Sequence, residues 1–248
     1  MTVAPFDYHA FARSQNADPV RFVGTRYDSA GSFLTERGNT IVRHVVPGSA
    51  TEQAMIELRS QMQAGPLGPL LALTDVESYH MTLFNGAIET SRTPDTWPVD
   101  VPLDADVNDT TVLIQERLAT FEGPASFAMR PVEVTPFGLT LTGATDVDEA
   151  TARAWRDSLP AHFGYRSTDH EAYIFHTTVA YLKDWLPDEV LLEAKAFYAR
   201  LTDMFLARVS MMDLGPPCFC TFEDMNWFEP LIVLPGSAVE MPTLRRPG

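Results

Sequence analysis

Two short patterns in the sequence place a histidine two residues before a threonine: His80-Met81-Thr82 and His176-Thr177-Thr178. If both patterns lie on β-strands, the imidazole and the hydroxyl of each pattern share one face, because side chains alternate between faces. An imidazole can transfer a proton near neutral pH, and a hydroxyl can donate a hydrogen bond to an anion. Two such pairs across one cleft would supply the acid, base and anion donors that in-line hydrolysis of a phosphodiester requires.

The sequence around each pattern predicts a strand. Residues 172–182 are apolar, rich in aromatic and β-branched residues and free of Gly and Pro, which is typical of one buried or half-buried strand. The residues predicted to face the packing side of that strand are Phe175, Thr177, Val179 and Tyr181. Residues 78–84 predict a second strand, with Tyr79, Met81 and Leu83 on the face opposite His80. Both strands therefore carry a His–Thr pair on one face.

The two patterns lie 96 residues apart and follow the same order of elements, namely a strand, a capped helix and then the H-x-T strand. Ser49 with Glu52 and Asp146 with Glu149 are the two helix-capping signals. The other predicted elements are helices at 110–121 and from 187, and strands at 39–46, 126–134, 137–142, 208–212 and 218–222. The order predicts an α+β fold of two pseudo-symmetric strand–helix–strand lobes, with antiparallel sheets around a central cleft.

The predicted domain organisation has three parts. Residues 1–37 are polar with scattered aromatics and are expected to form an extension packed on the body. Residues 38–234 are expected to form a single bilobed catalytic domain whose lobes meet near residues 120–140. Residues 235–248, rich in Pro and Gly, are expected to form a C-terminal tail.

The composition limits the partners. The net charge of −15 argues against a nonspecific grip on long DNA or RNA, which needs many Lys or Arg contacts with phosphates. The negative net charge is still compatible with a small phosphorylated ligand, since such a ligand experiences only the local electrostatic field of its pocket. No run of about 18 apolar residues is present, and the N-terminus lacks the pattern of a secretory signal. We therefore expect a cytoplasmic protein without a membrane span.

The two cysteines, Cys218 and Cys220, are expected to be reduced neighbours on a strand. Two thiols alone make a poor metal site, and the sequence contains neither HExxH nor CxxC. We therefore predict no metal and no cofactor.

The paired motifs, His80-Met81-Thr82-Leu83 and His176-Thr177-Thr178-Val179, resemble the H-x-[ST]-φ motifs (φ, an apolar residue) of the 2H (two-histidine) phosphoesterase superfamily. Tyr27-Asp28-Ser29-Ala30-Gly31 and the strand from Gly38 are similar to a little-characterised branch of this LigT-like group, and the resemblance spans roughly residues 20–230. Members include cyclic phosphodiesterases that act on RNA ends, cyclic nucleotides or cyclic ADP-ribose phosphates, and RNA-ligase-like proteins. Two features depart from the family pattern: the long Pro- and Asp-rich segment after the first motif and the N-terminal extension. Because of them, the resemblance does not identify the substrate.

The resemblance implies a metal-independent hydrolase for a cyclic phosphodiester, such as the 2′,3′-cyclic phosphate of a nucleotide or a short RNA end. It implies His80 as acid and His176 as base, with Thr82 and Thr178 holding the phosphoryl oxygens. Phe84, predicted to share the face of His80, and His44 are candidate substrate-binding residues, although a packing role is the simpler interpretation of each. We expect a monomer. A binding module that does not turn its phosphorylated ligand over and a metallohydrolase are the alternative hypotheses.

Overall fold

The computed structural model describes residues 4–236, 240–244 and 246. The remainder of the predicted C-terminal tail lies outside the described residues. The strands are β1 (Gly38–His44), β2 (Leu71–Leu73), β3 (His80–Ile88), β4 (Met129–Thr135), β5 (Gly138–Gly143), β6 (His176–Thr178), β7 (Ala180–Leu182), β8 (Cys218–Phe222) and β9 (Glu229–Val233). The helices are α1 (Ala50–Ala64), α2 (Val107–Leu118), α3 (Asp146–Ser158), α4 (Pro160–Phe163) and α5 (Leu191–Leu206). None of the helices in the described part of the chain is long and apolar enough to cross a membrane.

The fold is α+β, as predicted, and is built on a large antiparallel sheet. Seven strands pair in the order β4-β5-β6-β3-β1-β8-β9, and β2 pairs with β7 in a separate two-stranded sheet. The seven strands form one continuous sheet, and the pseudo-symmetric division into two lobes remains a prediction. What the topology does establish is that the two strands carrying the H-x-T patterns are neighbours.

The main hydrophobic core joins the helices to one face of the large sheet. Met55 of α1, Ile114 of α2, Trp155 of α3 and Leu201 of α5 belong to the same buried cluster as Met81 of β3. A smaller buried cluster contains Val42, Cys218, Cys220, Phe222, Met225 and Phe228. Cys218 and Cys220 are both free and buried. The helices thus hold one face of β3 rigidly, leaving its other face for the cleft.

The prediction of one continuous strand over residues 172–182 is wrong. Strand β6 covers only His176–Thr178, and the chain bends at Val179 before β7 leaves the large sheet to pair with β2. Val179 is fully buried, and its carbonyl accepts hydrogen bonds from the backbone and hydroxyl of Thr74. The bend also changes the face of Tyr181, which borders the cleft instead of packing into the core. Periodicity cannot reveal a bend whose cause is a residue in a distant loop.

Three further expectations need correction. Residues 208–212 follow α5 as turn and coil and form no strand. Helix α3 is capped by Thr145, whose hydroxyl accepts from the Asp148 N–H while the Asp148 carboxylate accepts from the Thr145 N–H. In α1, Ser49 caps as predicted, but the Glu52 carboxylate accepts from Gly48 rather than Ser49. Caps one residue away satisfy the same free helix N–H groups, so the helices themselves are unaffected.

The N-terminal segment contacts the strands that surround the cleft. The Tyr27 hydroxyl, fully buried, donates to the Leu182 carbonyl at 2.6 Å, and the Phe6 N–H donates to the Glu133 carboxylate at 3.0 Å. Ala12 forms a bridge with Leu186. These contacts fasten the segment to β4 and β7, while the boundaries predicted for the three parts of the chain remain a prediction.

Candidate active site

The two H-x-T patterns meet at the pairing of β3 with β6. The strands are antiparallel and Met81 is the partner of Thr177, so the middle residues of the two patterns lie opposite each other. Both middle residues are buried, which turns the flanking histidines and threonines to the other face. In this register each histidine lies across from the threonine of the other strand, and His80 and His176 are diagonal neighbours, about 7–8 Å apart at the backbone.

Each histidine is fixed by the same local hydrogen bond. Nδ1 of His80 lies 2.6 Å from the Ser78 carbonyl, and Nδ1 of His176 lies 2.8 Å from the Ile174 carbonyl. A carbonyl only accepts, so Nδ1 carries the proton of the neutral ring and Nε2 is left as the unprotonated nitrogen. Both rings therefore present the nitrogen suited to proton transfer in the same way.

The His–Thr face forms the floor of a cleft of about 100 Å³. Its lining includes His80, Thr82, His176, Thr178, Arg26 and Tyr181. Among the described residues, no carboxylate and no thiol lines this cleft. The side chains present offer hydrogen-bond donors, imidazoles and one permanent positive charge, a set suited to an anion rather than to a metal ion.

Burial lowers the pKa of both imidazoles. For His80, which is half-buried and packs against the Phe228 ring at 4.1 Å, the pKa falls to about 3, with smaller contributions from the nearby His44 and His176. For His176 the ring surface is open to the cleft, yet surrounding protein restricts its hydration and again lowers the pKa, helped by the charge of Arg156. Both rings are therefore neutral at pH 7 in the free protein.

Comparison with known proteins assigns the family. Residues 26–140, which include the first motif, match the family model 2H-phosphodiest, a domain of unknown function (DUF1868). A crystal structure of a conserved protein of unknown function from Agrobacterium tumefaciens is similar over 93% of this chain and 99% of its own, with 36% sequence identity and a TM-score of 0.90. The chain belongs to the 2H phosphoesterase family. Membership indicates a hydrolase acting on phosphodiester bonds, and no curated protein matches the chain significantly.

The prediction that Phe84 faces the cleft of this 2H phosphoesterase is wrong. Strand β1 pairs Val42 with Thr82 and Ile41 with Phe84, so Leu83 is an extra residue in a β-bulge. The bulge shifts the alternation, and Phe84 is fully buried, with its ring 4.7 Å from that of Phe163. The exposed residue that follows it, Asn85, lines the cleft instead.

His44 lies beside the site but does not line the cleft. It is the cross-strand partner of His80, their ring centroids are 6.5 Å apart, and its ring is buried with Nε2 3.5 Å from the Cys220 sulfur. Burial lowers the pKa of His44 to about 4. A neutral, enclosed imidazole in this position packs against the site, so a direct role in binding substrate has no support from its position.

Arg26 is the residue of this 2H phosphoesterase that sequence reasoning missed. Its guanidinium stacks over the Phe22 ring at 4.1 Å and donates to the buried Glu36 carboxylate at 2.6 Å, leaving further N–H groups at the cleft. Glu36 is held in turn by the Thr90 hydroxyl. Arg26 precedes His80 by more than fifty residues, so local periodicity could not place it at the site, although the segment was expected to pack on the body.

A second cation, Arg156 of α3, lies beneath the site. Its guanidinium is buried 3.7 Å from the centroid of the Tyr173 ring and donates to the Leu83 carbonyl, and the Tyr173 hydroxyl donates to the Thr82 carbonyl at 3.3 Å. No described carboxylate lies within salt-bridge distance of Arg156. Its field therefore adds positive potential under the cleft, which lowers the pKa of His176 and favours a bound anion.

One group elsewhere has the spacing of metal ligands within the described residues: Asp157, His170 and Glu171. None of the three lines the cleft. The Arg166 guanidinium forms ion pairs with both carboxylates, so their negative charge is already compensated. This cluster is most simply a surface ion-pair network.

Proposed function

We propose that this protein hydrolyses a cyclic phosphodiester, such as the 2′,3′-cyclic phosphate of a nucleotide or a short RNA end, by acid–base catalysis with two histidines and without a metal ion. The observation that carries the proposal is the pair of imidazoles on neighbouring strands, each with Nδ1 held by a backbone carbonyl and Nε2 free. Family membership supplies the general reaction.

In the proposed reaction one imidazole removes a proton from a water molecule while the oxygen of that water attacks phosphorus. One ester P–O bond breaks, and the other imidazole gives its proton to the departing alkoxide, so that the two protons balance. Thr82 and Thr178 donate hydrogen bonds to the non-bridging oxygens, where negative charge is concentrated. A strained cyclic ester suits an acid and a base of modest strength, because its leaving oxygen is easier to expel.

The environments of the rings favour His176 as the acid and His80 as the base. His176 is open to solvent, whereas His80 is packed under Phe228 and faces two further imidazoles, so an added proton is better tolerated on His176. The proposal therefore exchanges the roles that the family resemblance implied.

In this proposal the bound substrate causes the protonation that the acid needs. Both rings are neutral in the free protein at pH 7, and a phosphodiester monoanion between them raises the pKa of each. Arg26 holds the anion through its remaining N–H groups, and the threonine hydroxyls orient it. Binding and protonation are thus coupled.

The register also supports the two-lobed arrangement as a proposal. β1, α1 and β3 on one side and β5, α3 and β6 on the other have the same order, and each outer strand pairs with its inner one. A local two-fold axis through the Met81–Thr177 pair would exchange the two H-x-T strands. The two His–Thr pairs would then be equivalent parts of one site.

The test is turnover of a 2′,3′-cyclic mononucleotide in EDTA by the wild type and by His80→Ala and His176→Ala, with the exposed His9→Ala as the matched control. We expect turnover by the wild type and the control and loss of at least 100-fold in both site variants, the usual contribution of general acid–base catalysis being roughly 10²–10⁴-fold. Binding without turnover by the wild type would instead identify a binding module. Activity that disappears in EDTA and returns with a divalent ion would identify a metallohydrolase.

A further inference from the structure

A second and larger cavity adjoins the cleft. It has a volume of about 470 Å³ and shares His176, Thr178 and Tyr181 with the cleft, so the two spaces meet at the H-x-T strand β6. The cleft, at about 100 Å³, has room for a phosphoryl group and little more. Any larger organic group attached to that phosphoryl group must therefore extend beyond the cleft, and the adjoining cavity is the enclosed space beside His176.

The N-terminal segment builds part of the wall of this cavity, here called the aromatic compartment. Phe6, Phe11 and Phe22 come from this segment, and their rings pack against those of Phe137, Trp185 and Tyr181, which also line the cavity. The first three precede residue 26, where the match to the family model begins. This N-terminal part of the wall therefore lies outside the residues that the family model matches, whereas Phe137 lies inside them.

We propose that the aromatic compartment binds the nucleobase of the substrate, held by its faces, while the phosphoryl group lies over the histidines. This inference rests on the proposed function and narrows its substrate class to a compound of mononucleotide size. Aromatic side chains bind flat rings through offset and edge-to-face contacts. These contacts contribute binding free energy in addition to that of the buried apolar area, and a flexible alkyl chain cannot make them.

The polar groups of the compartment fit recognition by stacking. Its lining contains no Asn, Gln, Asp or Glu among the described residues, so it lacks the amide and carboxylate groups that pair with the edges of adenine and cytosine. Arg21, exposed at the compartment, lies 4.9 Å from the centroid of the Phe22 ring. We therefore expect purine and pyrimidine substrates to be accepted with similar affinity.

Ile174 provides a direct probe of the compartment. It lines the cavity two residues before His176, and 51% of its surface is exposed. Only its backbone carbonyl holds His176, so replacing its side chain leaves that hydrogen bond in place. A ring bound in the compartment would cover this exposed surface.

The experiment measures the affinity of three ligands by calorimetry: a nucleoside 3′-monophosphate, ribose 5-phosphate and dodecyl phosphate. The proteins are the wild type, Ile174→Ser, Phe137→Leu and, as control, Leu192→Ser at an α5 position that is 84% exposed. Base stacking on aromatic side chains predicts that the nucleotide binds roughly tenfold or more tightly than ribose 5-phosphate. Both compartment variants should remove most of that difference, whereas the control should keep it.

The outcomes separate this inference from the proposed function. Equal affinity for nucleotide and ribose 5-phosphate, with binding of both lost in His176→Ala, would overturn the nucleobase assignment and leave the phosphate site intact. Preferential binding of dodecyl phosphate, weakened by Ile174→Ser and Phe137→Leu, would also overturn it in favour of an alkyl group. Binding of all three ligands unaffected by His176→Ala would contradict the proposed function itself.

Discussion

Binding of a phosphodiester monoanion at pH 7.5 should draw one proton into the cleft. Burial keeps the pKa of His80 at about 3 and holds that of His176 below its ordinary value of about 6.5. The free protein therefore carries less than about a tenth of a proton on either ring at this pH. The proposed acid–base pair nevertheless needs one proton in the complex, so that proton must come from the buffer.

The size of the effect follows from the charges in the cleft. An opposite charge within about 4–6 Å moves a pKa by roughly 1–3 units toward the charged form, and both rings flank the position proposed for the phosphate. His176, being open to solvent, should gain the proton first. We expect a measurable uptake of up to about one proton per ligand bound at pH 7.5, and weaker binding as the pH rises further.

The assay is calorimetry of a non-hydrolysed phosphodiester in buffers of different ionisation enthalpy, which yields the number of protons taken up. A phosphodiester is suitable because its own charge is constant over this pH range. In His176→Gln the uptake should vanish, whereas in His80→Gln it should persist. Zero uptake in a wild-type protein that binds the ligand would refute the reasoning, and loss of uptake only in His80→Gln would restore the role order that the family resemblance implied.

Three other predictions follow from the same geometry. Between pH 7 and 5 the free energy of unfolding should fall by about 2 kcal/mol because of His44. The unfolded chain binds a proton on this ring below about pH 6.5, whereas the pKa of the buried ring in the folded protein is about 4. Urea unfolding of His44→Gln should show that this loss has disappeared. Thr82→Val and Thr178→Val should each lower kcat/KM about 5- to 150-fold, the equivalent of roughly 1–3 kcal/mol for a hydrogen bond to a charged group. Arg26→Met should raise KM roughly 10- to 100-fold by removing a charge-assisted contact, with Arg26→Lys intermediate because lysine lacks the planar fork that also binds Glu36.

The controls lie close to the perturbed residues. Thr177→Val alters the neighbouring threonine on the buried face, whose hydroxyl has no hydrogen-bond partner in the described structure, so it should leave kcat/KM unchanged. An equal effect at Thr177 and Thr178 would show that the loss is structural. Equal pH dependence of unfolding in the wild type and His44→Gln would contradict the low pKa of His44. A KM unaffected by Arg26→Met would remove Arg26 from the anion site.

The sequence alone predicted several local features correctly. The alternation around His80 identified the strand and its buried Tyr79, Met81 and Leu83, and the capping signal at Ser49 identified the start of α1. The paired motifs predicted the family, which the family model confirms. All of these depend on neighbouring residues along the chain, where side-chain periodicity and capping act directly.

The tertiary structure decided which of these residues share a site. The pairing of Met81 with Thr177 brings together strands 96 residues apart, and the bulge at Leu83 depends on the pairing with β1, so neither could be read from local alternation. Contacts between distant segments also decide the bend at Val179, the orientation of Tyr181 toward the cleft and the position of Arg26 beside it. The sequence by itself determined the chemical groups and the strands that carry them. Their register, their low pKa values and the cations beside them come from contacts between distant segments, because burial and strand pairing exist only once the chain has folded.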